Sequence, residues 1–188
     1  MSDKYKIFEG DEVYFVTFTI TDWLNVLEDD SYKMIIIDSI RYCQNNKGLV
    51  VYGYCIMPNH VHMIIQATEQ FTISEILRDL KKFTANTIIK KLSDKKTVEN
   101  INILNKFREA GKHLTRIRNY KVWQDGNRPK LVYSNKFLWE KLNYIHNNPL
   151  EKELCNKPWD YLFSSATNYT DKYSLLDVVC LSVPLKTY

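Results

Sequence analysis

Four histidines occur in 188 residues. Two of them, His60 and His62, sit in one short apolar run, YCIMPNHVHMII at 54–65. Successive side chains on a β-strand point to opposite faces. On a strand, His60 and His62 therefore share a face while Val61 points the other way. Two imidazoles so placed can chelate one divalent ion. The same spacing also suits two half-buried histidines bonded to carboxylates or carbonyls, and the pair alone leaves both readings open. A metal that does chemistry needs a third protein ligand and a position open to substrate.

The segment EKLNYIHNNP at 140–149 contains candidates for that third ligand and for a nucleophile. Helical positions four apart stack on one face, so Tyr144 and Asn148 lie together. Leu138, Leu142 and Ile145 form a neighbouring apolar stripe that would press the helix onto a sheet. An asparagine oxygen is a fair ligand for a hard cation. A tyrosine hydroxyl one turn away is placed to attack what the metal polarises. Against this stands the ordinary role of a tyrosine as a packing residue, in a chain with 13 of them. His146 faces elsewhere and reads as a structural or surface residue.

The elements that must position these groups are legible as local patterns. VYFVTFTI at 13–20 is β-branched and aromatic and reads as a strand. Residues 32–46 read as a helix ending near Asn45, Asn46 and Gly48. LVVYGYCIM at 49–57 reads as a second strand, broken by Pro58 and Asn59. VHMIIQ at 61–66 reads as a third strand or the continuation of a kinked one. Ile73, Ile76, Leu77, Leu80, Phe83 and Ile88 recur at helical spacing, with Ser74 or Thr72 as the cap. A polar break at 93–96 leads to a helix over about 97–110, stopped by Gly111. A last helix runs from Ser134, its N-cap, to Asn148, with Pro149 as the stop. Strands alternating with helices predict a single sheet of α/β or α+β class.

Composition narrows the partners. The formal net charge of +4 is compatible with nucleic acid but does not require it. Basic side chains that could hold DNA phosphates are Arg78, Lys81 and Lys82 on the long helix, then Arg116, Arg118, Lys121 and Arg128 beyond it. Trp123 is either a stacking platform for an unpaired base or a core residue. Cys43, Cys55, Cys155 and Cys180 form no C-x-x-C pair, which argues against structural zinc. They read as reduced thiols in a cytoplasmic protein, one that a DNA partner would place at the nucleoid. No apolar run approaches the length of a membrane span.

MPNHVHMII together with WEKLNYIHNNPLEKELCNKPWDYLFSSATNY resembles the single-tyrosine HUH transposases, within the IS200-like group, and specifically the REP-associated tyrosine transposases. VYFVTFTITDW and KVWQ at 121–124 are similar to that family's first strand and its W-Q element. The likeness covers about 8–170 of one domain spanning 1–188, and leaves the tail from 171 to 188 unassigned. It implies an α+β, ferredoxin-like antiparallel sheet with helices packed on one side. It implies cleavage and rejoining of single-stranded or hairpin DNA through a 5′-phosphotyrosine. Tyr144 would be the nucleophile, and His60, His62 and Asn148 would hold Mg2+ or Mn2+; many relatives carry glutamine in place of that asparagine. Phe83 stands in LKKFTANT, where many relatives have another aromatic, and has no hydroxyl to compete. Insertion-sequence relatives act as dimers, whereas the REP-associated branch leans to a monomer. The alternatives are a DNA-binding protein that has lost catalysis and a metal phosphodiesterase that uses water in place of Tyr144.

Overall fold

The computed structural model describes residues 12–68, 70–112, 120–125, 129–170 and 172–181. Strands β1 (Tyr14–Thr19), β2 (Leu49–Ile56), β3 (His60–Ala67) and β4 (Lys130–Leu131) form one antiparallel sheet in the order β2-β3-β1-β4. Helix α1 (Asp30–Lys47) joins β1 to β2, and α2 (Ile73–Asp94) and α3 (Val98–Gly111) lie between β3 and β4. This is the β-α-β-β-α-β order of a ferredoxin-like unit, with α3 added before a short last strand. Helix α4 (Asn135–Glu151) follows the sheet. The expected α+β class is the one the chain adopts. No helix among the described residues is long and apolar enough to cross a membrane.

Local chemistry sets the boundaries. Asp29 caps α1 by accepting the Ser31 N–H, and Gly48, at φ 61°, ends it in the left-handed region. Thr72, not Ser74, caps α2, in a reciprocal capping box with Glu75. Thr97 caps α3 and Ser134 caps α4. β2 and β3 are two strands of a hairpin turning through Met57–Asn59, closed by the Met57 N–H on the His60 carbonyl at 2.8 Å. A bulge between Val51 and Gly53 shifts the register of β2.

Two corrections concern α4. Val61, Met63 and Ile65 share one core with α1 and α2, as expected. Phe15, Cys55 and Ile64, on the opposite face, pack against Leu142 and Ile145 of α4. The helices therefore cover both faces of the sheet rather than one side. Leu142 approaches so closely that a Cβ on Gly53 would lie 2.7 Å from its Cδ1. Nor does Pro149 stop α4, which continues to Glu151. Proline close to a helix end forfeits a single backbone bond. The terminator is Glu153, at φ 56°. Its N–H bonds the Leu150 carbonyl at 3.0 Å, and the Leu154 N–H bonds the Pro149 carbonyl at 2.9 Å. These two bonds form a Schellman motif, with glutamate in the place glycine usually takes.

Candidate functional site

Strand parity brings His60 and His62 to the face that α4 covers. Their ring centroids lie 4.6 Å apart, at 75°. The Leu142–Ile145 stripe seats α4 so that Tyr144 and Asn148 meet them. The Tyr144 ring stands edge-on to His62, with centroids 5.2 Å apart. Asn148 is buried, whereas Tyr144 keeps 41% of its surface exposed. The sequence thus named four residues that the fold gathers into one cluster. His146, as expected, points away and bonds the Ser165 hydroxyl at 2.8 Å.

Each histidine is oriented through its Nδ1. The Asn59 Oδ1 lies 2.6 Å from Nδ1 of His60. A carbonyl oxygen only accepts, so Nδ1 carries the hydrogen and Nε2 keeps its lone pair. Thr17, paired with His62 across the sheet, places its Oγ1 2.8 Å from Nδ1 of that ring. Burial pushes the His60 pKa down to about 4 and that of His62 to about 3, so both are neutral at pH 7. The proximity of Lys152 to His60, and of His60 and Lys141 to His62, adds to the depression.

Two acceptors in this cluster have nothing to accept. His62 Nε2 and Asn148 Oδ1 are buried without a hydrogen-bond partner. A buried lone pair left unmet costs about 1–3 kcal/mol. The Asn148 amide stands beside both His60 and Tyr144, raising the pKa of the first and lowering that of the second. Two unpartnered acceptors, His62 Nε2 and Asn148 Oδ1, beside the neutral His60 ring that bonds the Asn148 amide, fit a divalent cation. Among the described residues no group of three His, Cys, Asp or Glu side chains could hold a metal, so the amide is what would complete a ligand set here.

Burial raises the Tyr144 pKa above 10, with Glu151 adding to the effect. Lys141, one turn before it, holds its ammonium 5.6 Å from the Tyr144 ring centroid and 5.3 Å from that of Phe15. Lys141, Lys152 and Thr17 were not singled out in the sequence, and Asn59 only as a strand break. The (i, i+3) spacing of Lys141 and Tyr144 was a usable signal; the strand pairing of Thr17 with His62 was not visible.

The other sequence candidates are placed differently. Trp123 is a correction: its indole is buried, edge-on to Phe18 at 4.9 Å, and its Nε1 donates to Thr84 Oγ1 at 3.1 Å. It is a core residue and has no face to offer a base. Lys121 is largely covered and pairs with Asp125 at 2.8 Å. Lys81 donates to the Gln124 carbonyl at 3.2 Å. Arg78 is exposed and pairs with Asp79, and Lys82 is exposed. Helix α2, which carries Arg78, Lys81 and Lys82, is on the layer across the sheet from His60 and Tyr144. Arg116, Arg118 and Arg128 lie outside the described residues.

The family model described as "Transposase IS200 like" matches residues 14–148, from the first residue of β1 to Asn148. The chain belongs to the IS200-like transposase family. A solved structure described as the REP-associated tyrosine transposase bound to a REP hairpin is similar in fold. It matches with a TM-score of 0.66 and 16% identity, over 97% of this chain and 96% of that one. A putative transposase from Deinococcus radiodurans R1 matches with a TM-score of 0.42 and 21% identity, over 78% of this chain and 97% of that one. No curated protein matches. The family span contains every member of the histidine–tyrosine cluster and both residues that orient the imidazoles.

Proposed function

We propose that this IS200-like transposase cuts and rejoins one DNA strand through a covalent bond to Tyr144. In this reading His60 Nε2, His62 Nε2 and Asn148 Oδ1 hold Mg2+ or Mn2+. The observation that carries it is the pair of buried, unpartnered acceptors, His62 Nε2 and Asn148 Oδ1, beside a half-exposed tyrosine. Bound there, a divalent ion supplies Lewis-acid stabilisation of the charge that builds on a phosphate oxygen.

The chain's own groups do the rest. The Tyr144 Oη attacks phosphorus in line, forming a Tyr–O–P bond as the P–O3′ bond breaks. The departing oxygen takes a proton and becomes a free 3′-hydroxyl, leaving a 5′-phosphotyrosine. One phosphate ester replaces another, so a 3′-hydroxyl can reverse the step without ATP. Since burial holds the phenol proton on, that proton passes to solvent water as attack proceeds, and water returns one to the departing 3′ oxygen. The Lys141 ammonium over the ring favours the emerging charge. Asn59 holds the His60 imidazole in the tautomer that leaves Nε2 with its lone pair, and Thr17 fixes the orientation of the His62 ring.

The proposed substrate is single-stranded or hairpin DNA, in keeping with the hairpin bound by the REP-associated relative. The basic residues at 116, 118 and 128 would hold phosphates and set salt dependence rather than sequence choice, whereas Arg78 and Lys82, on the far layer of the sheet, would reach only phosphates remote from the cut. A monomer suffices, since all four residues of the cluster come from one chain.

The test is a cleavage assay with labelled hairpin DNA from the protein's own flanking genome and Mn2+ or Mg2+. Label that migrates with wild-type protein on a denaturing gel, and disappears with Tyr144→Phe, is the expected result. Equal cutting by both proteins without an adduct would assign the attack to water. Binding without cutting would mark a DNA-binding protein.

A further inference from the structure

The turn after β1 carries a feature that the catalytic reading does not use. Trp23 is 55% exposed. Its φ is 56° and that of Asp22 is 55°, so two consecutive side-chain-bearing residues occupy the left-handed region. A bulky residue there is a conformational outlier, costing about 1–3 kcal/mol unless its surroundings impose it. An exposed indole gains little from burial to offset that cost.

The surroundings do impose it, and they tie it to the site. The Trp23 N–H bonds the Ile20 carbonyl at 3.1 Å, and the Leu24 N–H bonds that of Thr21 at 3.3 Å. The Asn59 Nδ2 donates to the Trp23 carbonyl at 3.3 Å and to Asn25 Oδ1 at 2.9 Å. The same amide accepts from His60 Nδ1 at 2.6 Å. One side chain therefore fixes both the histidine and the backbone that presents the indole. The Trp23 ring stands edge-on to His60, with centroids 6.0 Å apart.

We infer that Trp23 is a stacking platform for the unpaired nucleobase next to the phosphate held at His60. An aromatic ring on a backbone fixed by hydrogen bonds, half-exposed and one ring away from the phosphate site, suits the π-face of a base. A strand threading past His60 would lay one base on the indole. That fixes where the phosphate sits relative to Tyr144. Trp23 would thus be a positioning residue for flanking bases, tolerant of their identity. This rests on the proposed function for its phosphate, although the stacking itself can be measured without any reaction.

The experiment is a binding cycle in the Tyr144→Phe background, which cannot form the adduct. The probe is fluorescein-labelled hairpin DNA with a single-stranded flank, and a set of the same DNA carrying one abasic site at each flank position in turn. Trp23→Ala is expected to weaken binding of the intact DNA about tenfold, and Trp23→Phe to restore most of it. At one abasic position Trp23→Ala should cost nothing further, since the base it would stack is already gone. A loss of the same size at every abasic position would overturn stacking, because disturbance of the turn alone would couple to no base. Unchanged affinity in Trp23→Ala would overturn it too. Adduct formation by Tyr144-containing protein is read separately. An adduct with no coupled base refutes the platform alone; a coupled base with no adduct refutes the chemistry alone; no DNA binding at all refutes both.

Discussion

The Thr17 hydroxyl lies 2.8 Å from Nδ1 of His62, on the residue directly across the sheet from it. That bond decides which nitrogen of His62 faces the cluster. Thr17→Val keeps the shape and the β-propensity but removes the partner. If the reading of the cluster is correct, the Mn2+ concentration needed for half-maximal adduct formation should rise about 10- to 100-fold. The unfolding midpoint should stay close to wild type, so that lost ligation is told apart from lost fold.

Acid should destabilise the metal-free protein through its buried histidines. His60, His62 and His146 sit at about 4, about 3 and about 4, against an ordinary value of 6.5, chiefly because burial disfavours the imidazolium. Below 6.5 the unfolded chain takes up protons that the folded chain refuses. Stability is therefore full above that value, declines as the pH falls from 6.5 towards the folded values, and levels off below them. Each histidine adds a slope of up to about 1.4 kcal/mol per pH unit. Urea unfolding at several values between about pH 7 and about pH 5 should show this fall. His146→Gln should make it shallower. A flat profile would mean that these rings are not buried neutral.

Trp123 and Trp23 should behave oppositely. Trp123→Ala empties a buried site and should cost about 3–5 kcal/mol in equilibrium denaturation, with Trp123→Phe costing less. A Trp123→Ala protein of normal stability with selectively lost DNA binding would return Trp123 to the interface.

Glu153 ends α4 in the left-handed region without being glycine. Glu153→Gly should raise stability by about 1 kcal/mol, since the native conformation then carries no Cβ penalty. A higher thermal midpoint would establish this. A drop would mean that the glutamate makes a contact worth more than the strain.

Much of this molecule was legible locally. The strands at 14–19, 49–56 and 60–67 follow from β-branched and aromatic runs, and the helices from apolar periodicity, with Ser134 legible as a cap and Thr72 as one of two candidates. Parity on a strand is a fixed geometric rule, so His60 and His62 had to share a face once β3 formed. The pitch of a helix likewise obliged Tyr144 and Asn148 to stack.

What the sequence could not decide is how distant segments meet. Nothing near 140–149 says which face of the sheet α4 takes. That was settled by Gly53, whose missing side chain lets Leu142 approach, together with Phe15, Cys55 and Ile64 on the face α4 covers. The fate of Trp123 turned on Thr84 and Phe18, far from it in the chain. The roles of Thr17 and Asn59 depend on hydrogen bonds made across a sheet and at its turn. The two pairs, His60 with His62 and Tyr144 with Asn148, were thus determined by the sequence, through short-range periodicities that every strand and helix obeys. Their convergence, the orientation of the imidazoles and the exposed indole beside them were decided by tertiary packing, because only packing brings remote backbone and side chains within bonding distance.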